Sequence, residues 1–383
     1  MSDTGPLAFF VPSLTVGGAE RVTVTVANGL ADHGYDVDLV VPHYGGAFVD
    51  EVNNSVDVFD LDTSFGPGIG IGMAVPALVS YFRDRSPAMI FSQMTYANDV
   101  CLFAHMLAGS DAVAVPTVHN TIGNLTAPKD RLVRVLAQLL EGRVDQFVAV
   151  SDGVADSIVA EIGVDRADVS VLHNPIPVDD IREEATGSAD HRWIERDDTD
   201  VVLGVGRLEP QKSFKTFLRA FGRVHERLPS TRAVIIGRGS KRDELEALAA
   251  DLGLSDVVSF PGYVDNPYAY MAGADTLMMS SVHEGLPTVL IEAMACGCPV
   301  VSTDCPSGPR TILEDGQYGP LVEVGDDAAL AAGVLATLRD PLDERTLIER
   351  ARDFQPSTVL ADYETFVQEH GPFEREEPAA ISQ

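Results

Sequence analysis

Ser281–Pro309 reads SVHEGLPTVLIEAMACGCPVVSTDCPSGP, and the rest of the chain can be organised around it. An apolar run of strand length, Thr276–Met279, precedes it, and a second, Pro299–Thr303, lies inside it. Between the two, a polar loop carries Glu284 and a helix opens at Pro287 or Thr288, with Glu292 in its first turns. Proline suits that place because its ring fixes φ and its missing N–H would be unpaired there in any case. Strand, helix and strand in close succession are the repeating unit of a parallel α/β sheet.

The same alternation extends outward in both directions and falls into two series. One opens at Leu7–Val11, turns through Gly17 and Gly18 into a helix over Ala19–Ala31, resumes at Val37–Val41 and runs on to Phe147–Val150. The other opens at Val201–Val205 and continues through Ala233–Ile236, Val257–Phe260, Thr276–Met279 and Pro299–Thr303. The expected architecture is α/β, with two Rossmann-like doubly wound domains facing across a cleft. The first covers residues 1–174 and the second 200–352. Residues 175–199, broken by Pro175 and Pro177, read as the interdomain connection. A closing helix over 353–371 and a flexible acidic tail over 372–383 follow.

Composition narrows the function classes. Among 383 residues, 58 acids face 27 bases, for a net charge of −31, a field that repels nucleic-acid backbones and anionic lipid. Only Lys129, Lys212, Lys215 and Lys241 are lysines, and an acidic, lysine-poor chain resembles proteins adapted to concentrated salt. Cys101, Cys296, Cys298 and Cys305 are too few for a disulfide framework, which fits a reducing cytoplasm. No basic leader or long apolar span is evident, so a cytoplasmic location is expected.

The eight-residue step from Glu284 to Glu292 sets one carboxylate on a loop lip and the other one turn inside a helix. The backbone N–H groups of Leu286, Thr288 and Val289 lie between them, at a helix start that attracts anions. A diphosphate flanked by hydroxyl-binding acids is what a nucleotide sugar presents. A second motif, GVGRLEPQKSF over Gly204–Phe214, follows a strand but puts Glu209 where a dinucleotide fingerprint has its third glycine. A nicotinamide or flavin cofactor is therefore disfavoured. Arg207 supplies a fork and Lys212 a point charge suited to phosphate, and cations at a helix N-terminus are unfavourable without an anion.

These two motifs, with GGAERV near the N-terminus and VIIGRG and FPGYV between them, resemble the family 4 glycosyltransferases over almost the whole chain. The resemblance implies the two-domain GT-B fold and a retaining transferase that moves a hexose or N-acetylhexosamine from a nucleotide-diphosphate sugar, most readily a UDP-sugar, to a hydroxyl acceptor, with no metal and no cofactor. It further implies that Arg207 and Lys212 neutralise the donor diphosphate, Glu284 binds the transferred sugar, Glu292 binds the ribose, and the backbone at Val264 meets the base. Gly18 would approach the phosphates and His119 would sit near the reacting sugar; read alone, His119 is an ordinary core histidine. The closing helix would cross back to the first domain.

One position departs from the family pattern: GPRTIL has Thr311 where the family often has a glutamate. Cys296, Cys298 and Cys305 lack a paired metal-ligand spacing and read as packing residues. Lys129–Arg143, KDRLVRVLAQLLEGR, is amphipathic and locally basic, either an ordinary core-facing helix or a peripheral contact to the cytoplasmic face of a membrane. Glycan or lipid-linked acceptors remain open. A GT-B epimerase or phosphorylase, or a catalytically silent nucleotide-sugar-binding subunit, is the competing expectation.

Overall fold

Four- and five-residue apolar runs buried on both faces leave parallel pairing as the way to satisfy their backbones while helices cover them. The computed structural model describes residues 5–15, 17–63, 73–121, 144–195 and 198–373, and these form two all-parallel sheets. The chain divides into unit 1, Met1–Pro175 with Pro356–Gln383, and unit 2, Ile176–Gln355.

In unit 1 the strands are β1 (Leu7–Phe10), β2 (Val37–Val41), β3 (Val56–Asp60), β4 (Met89–Gln93), β5 (Val113–Val118), β6 (Phe147–Ala149) and β7 (Val169–Val171), in the order β3-β2-β1-β4-β5-β6-β7. Helices α1 (Gly18–Asp32), α2 (Val75–Arg85), α3 (Thr95–Ala108) and α4 (Asp152–Ile162) alternate with them. Phe9 stacks on Phe91 at 5.0 Å across the β1–β4 pair. Asp38 is fully buried in β2, and the neighbouring helix compensates it: Arg85 donates from Nη2 to Oδ1 at 2.6 Å and Tyr81 donates its hydroxyl to Oδ2 at 2.7 Å. A buried carboxylate without such partners would cost several kcal/mol, on the order of 3 or more.

In unit 2, β8 (Val201–Val205), β9 (Arg232–Ile236), β10 (Val258–Gly262), β11 (Thr276–Met279), β12 (Val300–Thr303) and β13 (Leu321–Val322) take the order β10-β9-β8-β11-β12-β13. Their helices include α5 (Val178–Ala185), α6 (Phe214–Arg227), α7 (Arg242–Asp251), α8 (Pro267–Ala272), α9 (Thr288–Ala295), α10 (Asp327–Arg339) and α11 (Glu344–Ala351). Helix α6 is the most one-sided: Phe214, Phe217, Leu218, Phe221 and Val224 are all buried.

The residues between the two series differ from a free connection. From Ile176 onward they pack within unit 2, where α5 buries Val178 and Ile181, Arg182 donates to the Ala295 carbonyl at 3.2 Å, and Trp193 is buried with its ring edge-on to His191. Pro175 and Pro177 interrupt the pattern, but the apolar residues behind them still find a core. Residues 352–354 remain with unit 2, and the last helix, α12 (Pro356–His370), belongs to unit 1. There Val359, Leu360, Tyr363 and Phe366 join the core beside α1. Gly29 permits that approach, since a Cβ on it would stand 2.3 Å from Leu360 Cδ1. The basic segment Lys129–Arg143 and residues 374–383 lie outside the described residues.

Candidate active site

Ligands of open parallel sheets bind beyond the carboxyl ends of the strands, and in unit 2 two loops meet there. The loop after β8 turns at Gly206, descends through a short 3-10 turn over Pro210–Lys212, and passes Ser213 at φ 47° into α6. A left-handed serine is uncommon and costs about 1 kcal/mol or more. The Ser280 hydroxyl at the end of β11 holds it in place, lying 2.8 Å from the Lys212 carbonyl and 3.1 Å from that of Ser213. The backbone adds a further tie, from the Val282 N–H to the Gln211 carbonyl at 2.9 Å. The loops after β8 and β11 are thus joined before any side chain of the site is counted.

Lys212 Nζ lies 2.6 Å from Glu284 Oε1. The same oxygen accepts from the Ser281 hydroxyl at 2.6 Å, and the Gln211 amide donates to Glu284 Oε2 at 3.4 Å and to the His283 carbonyl at 2.9 Å. Glu284 is 7% exposed, while the Lys212 side chain keeps 17% of its surface open. The carboxylate is held from several directions, and the ammonium, with three donors, retains capacity toward solvent. Arg207 is exposed and donates from Nη2 to Gln211 Oε1 at 3.3 Å, so Gln211 links the guanidinium to Glu284.

Glu209, the residue in place of a third glycine, accepts from the Ser240 N–H at 2.7 Å and lies 2.9 Å from the Ser240 hydroxyl. Those two donors hold its carboxyl below the usual range. The chain uses this position to fasten the loop after β9 to the loop after β8.

Leu286 is buried, Thr288 and Val289 are half-buried at the first turn of α9, and Pro287 stands at its N-cap. The opening N–H groups of a helix have no partner within it. Glu292 lies half-buried one turn further on. The loop after β12 closes this region from behind: the Ser307 hydroxyl donates to the Glu284 carbonyl at 2.6 Å, and at Gly308, φ 90°, a Cβ would fall 2.3 Å from Pro287 Cδ. Thr311 contributes its carbonyl to Arg350 at 2.6 Å, so the GPRTIL segment is anchored through its backbone. Val264 is half-buried just after β10.

Gly18 and His119 belong to unit 1. Gly18 opens α1 and is exposed, with nothing within 4 Å of a Cβ built on it; the crowded glycine is Gly17, whose Cβ would press on Glu20 Oε2 at 2.1 Å. The contact at Gly17 is with the end of a side chain that can move, whereas the space over Gly18 is open. His119 follows β5 and pairs through Nε2 with Gln93 Oε1 at 2.7 Å. An amide oxygen only accepts, so Nε2 carries the hydrogen; burial lowers the imidazole to about 4 and keeps it neutral.

Structure therefore brings Arg207, Lys212 and Glu284 into one connected group and adds three residues that motif reading passed over, Gln211, Ser281 and Ser307. Gln211 had a signal, lying between Arg207 and Lys212 in the same loop; the serines had none, since isolated serines near strand ends are ordinary. Cys298 and Cys305 are buried and Cys296 partly so, and burial pushes the Cys296 and Cys305 thiols up to about 12. Among the described residues, the side chains grouped closely enough to hold a cation are Asp36, Asp38 and Asp57 in unit 1, where Arg85 already engages Asp38 and Asp57. No described helix is long and apolar enough to cross a membrane.

Residues 16–180 match the family described as Glycosyltransferase Family 4, and residues 189–354 match the one described as Glycosyl transferases group 1. The chain is 28% identical over 349 residues, 87% of its length and 90% of the relative's, to N-acetylgalactosamine-N,N'-diacetylbacillosaminyl-diphospho-undecaprenol 4-alpha-N-acetylgalactosaminyltransferase of Campylobacter jejuni. It is 32% identical over 187 residues, 47% of this chain and 49% of the relative, to the lipopolysaccharide 1,6-galactosyltransferase of Salmonella typhimurium. Among solved structures, the lipopolysaccharide outer core galactosyltransferase WaaB superposes with a TM-score of 0.75 at 19% identity, over 95% of this chain and 99% of that one. Anabaena HepE, solved with UDP and glucose, does so with a TM-score of 0.75 at 20% identity, over 95% and 99%. The two parallel-sheet units have the GT-B fold, and the chain belongs to the family 4 glycosyltransferases.

Proposed function

We propose that this glycosyltransferase transfers a hexose or N-acetylhexosamine from a UDP-sugar, with retention at the anomeric carbon, to a hydroxyl of a lipid-linked oligosaccharide at a cytoplasmic membrane face. The observation that carries the donor reading is the 2.6 Å contact between Lys212 and Glu284, linked through Gln211 to Arg207. A diphosphate arriving at this loop meets an exposed guanidinium and an ammonium with open donors, which stabilise the charge that builds on the leaving group. Glu284, held by Ser281 and Gln211, accepts from hydroxyls of the transferred sugar, and Glu292 accepts from the ribose. The first N–H groups of α9 add a positive dipole end. Gly18 leaves room at the start of α1, and neutral His119 offers its Nδ1 to a sugar hydroxyl.

Support for the nucleotide comes from the similar fold of HepE, solved with UDP and glucose. Support for the acceptor comes from the Campylobacter relative, whose name specifies an undecaprenol-linked substrate. Attack on the same face from which the nucleotide departs, within an ion-pair-like transition state, accounts for retention without a protein nucleophile. The test is donor consumption: purified protein in high salt is offered UDP-hexoses and UDP-N-acetylhexosamines with a polyprenyl-diphosphate-linked sugar, and the product linkage is read by NMR. Turnover of a UDP-sugar that Lys212→Ala loses supports the assignment; full turnover by Lys212→Ala overturns it. Conversion of the donor to an isomeric nucleotide sugar without acceptor would instead indicate an epimerase.

A further inference from the structure

The segment that follows β12 carries left-handed backbone on both sides of a short helix over Pro309–Ile312. Ser307 (φ 62°) and Gly308 (φ 90°) precede it, and Glu314 (φ 43°) and Asp315 (φ 53°) follow it. Glycine takes this conformation freely. A serine, a glutamate and an aspartate do not, and they keep it only where neighbouring structure enforces it.

Arg350, near the end of α11, is placed to do the enforcing. It is 9% exposed, and it donates from Nε to the Ile312 carbonyl at 2.9 Å and from Nη2 to the Thr311 carbonyl at 2.6 Å. Those carbonyls end the short helix and have no partner within it. The remaining nitrogen, Nη1, lies 2.8 Å from Glu314 Oε1 and 2.7 Å from Asp353 Oδ2. The guanidinium carbon also stands 5.3 Å from the Tyr318 ring centroid and 5.1 Å from that of Phe354. Phe354 is tied in its turn, its carbonyl accepting from the Ile176 N–H at 2.8 Å. A planar fork engaged in this way has little freedom to turn.

The other end of the segment reaches the donor loop. The Ser307 hydroxyl donates to the Glu284 carbonyl, and a Cβ on Gly308 would fall 2.7 Å from the Gly285 carbonyl oxygen and 3.1 Å from Leu286 Cα. The Ile312 N–H donates to the Gly308 carbonyl at 2.9 Å, so the short helix passes the grip of Arg350 on to Gly308. A shift at Thr311 and Ile312 is therefore a shift of the backbone that carries Glu284.

We propose that Arg350 is a positioning residue for the transfer reaction: it keeps residues 307–315 in their left-handed turns and so fixes the Glu284 carboxylate against the transferred sugar. This rests on the reading of Glu284 as the acid that binds that sugar, and it adds a residue that belongs to neither motif. Lysine is no substitute, since an ammonium has no planar fork to serve two carbonyls and two acids together. UDP lacks the transferred sugar, so its binding depends less on where Glu284 lies.

The experiment compares the full chain with Arg350→Lys, with Arg350→Lys combined with Asp315→Gly, and with Ser307→Ala. It reads kcat/KM on the UDP-hexose or UDP-N-acetylhexosamine that the parent consumes, UDP affinity by calorimetry, and thermal unfolding. Arg350→Lys keeps the buried positive charge and is expected to lower kcat/KM by roughly 10- to 100-fold through a misplaced Glu284, with a much smaller change in UDP affinity. Adding Asp315→Gly, which adopts the left-handed turn without enforcement, is expected to restore part of that loss. Ser307→Ala cuts the last link to Glu284 and is expected to show the same split between turnover and UDP affinity. Parental kcat/KM in a folded Arg350→Lys, parallel losses of kcat/KM and UDP affinity, or no gain from Asp315→Gly overturns the proposal and leaves the donor reading intact. Parental kcat/KM in Ser307→Ala overturns it too, whether or not the lysine variant folds. A parent that binds no UDP and consumes no UDP-sugar overturns both.

Discussion

Lys212 and Glu284 stand on loops from two different strands, 72 positions apart in sequence, and meet at 2.6 Å. Each is the other's nearest charge, so the cation is presented to solvent already braced by a nearly buried acid. Removing the lysine leaves that acid without its counter-charge. Lys212→Ala is expected to lower kcat/KM by about 100-fold or more, the loss seen when one charge-stabilising donor is removed from a transition state. It should also destabilise the fold by about 1–3 kcal/mol, because a nearly buried carboxylate loses its charged hydrogen-bond partner and keeps only Ser281 and Gln211. Steady-state kinetics and urea unfolding of the same variant separate the two effects; the double variant Lys212→Ala, Glu284→Gln should recover stability and not activity.

Gln211 donates to Glu284 and accepts from Arg207. If it orients both, Gln211→Ala raises KM for the donor by about 5- to 10-fold through lost positioning. Gln211→Glu introduces a second acid beside Glu284 and should be worse than the alanine change. A Gln211→Ala enzyme with parental kinetics at saturating and at low donor would remove Gln211 from the site.

His119 is held to about 4 by burial. Its folded value lies below the usual 6.5, so the stability it supports is present above pH 6.5 and is lost as the pH falls toward 4. The ring should show no titration midpoint between pH 5 and 8 by NMR, and donor turnover in that window should be free of any step from His119. A midpoint near 6.5 would show that the ring is solvated.

Asp99 is 5% exposed, its Oδ2 has no hydrogen-bond partner among the described residues, and burial raises it to about 7. The folded value is above the unfolded value of 3.8, so folding stability is fullest below 3.8 and declines as the pH rises through 7. Asp99→Asn should therefore stabilise unit 1 at pH 8, by about 1–3 kcal/mol, and have little effect at pH 4. Thermal unfolding at the two pH values is the measurement, and equal shifts at both would contradict the buried acid.

A net charge of −31 makes the folded chain repel itself. Raising KCl from 0.1 M to 1 M shortens the screening length from about 10 Å to about 3 Å and should raise Tm, with unfolding favoured in dilute buffer. A Tm independent of salt would separate the acidic composition from any salt requirement.

The order of the elements, the two parallel sheets and the charged members of the site were legible in the chain. Period, punctuation and rare lysines are local properties: Val37–Val41, Val201–Val205 and Thr276–Met279 run as strands over the residues the apolar pattern marks. What the sequence could not contain is distance between residues far apart along it. That Lys212 is braced by Glu284 and that Gln211, Ser281 and Ser307 secure the acid follow from which strands became neighbours. Residues 176–199 show the same limit, since prolines announce a break in periodicity but only packing decides whether Trp193 finds a core. Sequence determined which groups were available and in which elements; the tertiary structure alone decided which of them share a hydrogen bond, because strand order is set by burial over the whole sheet and not by any local run.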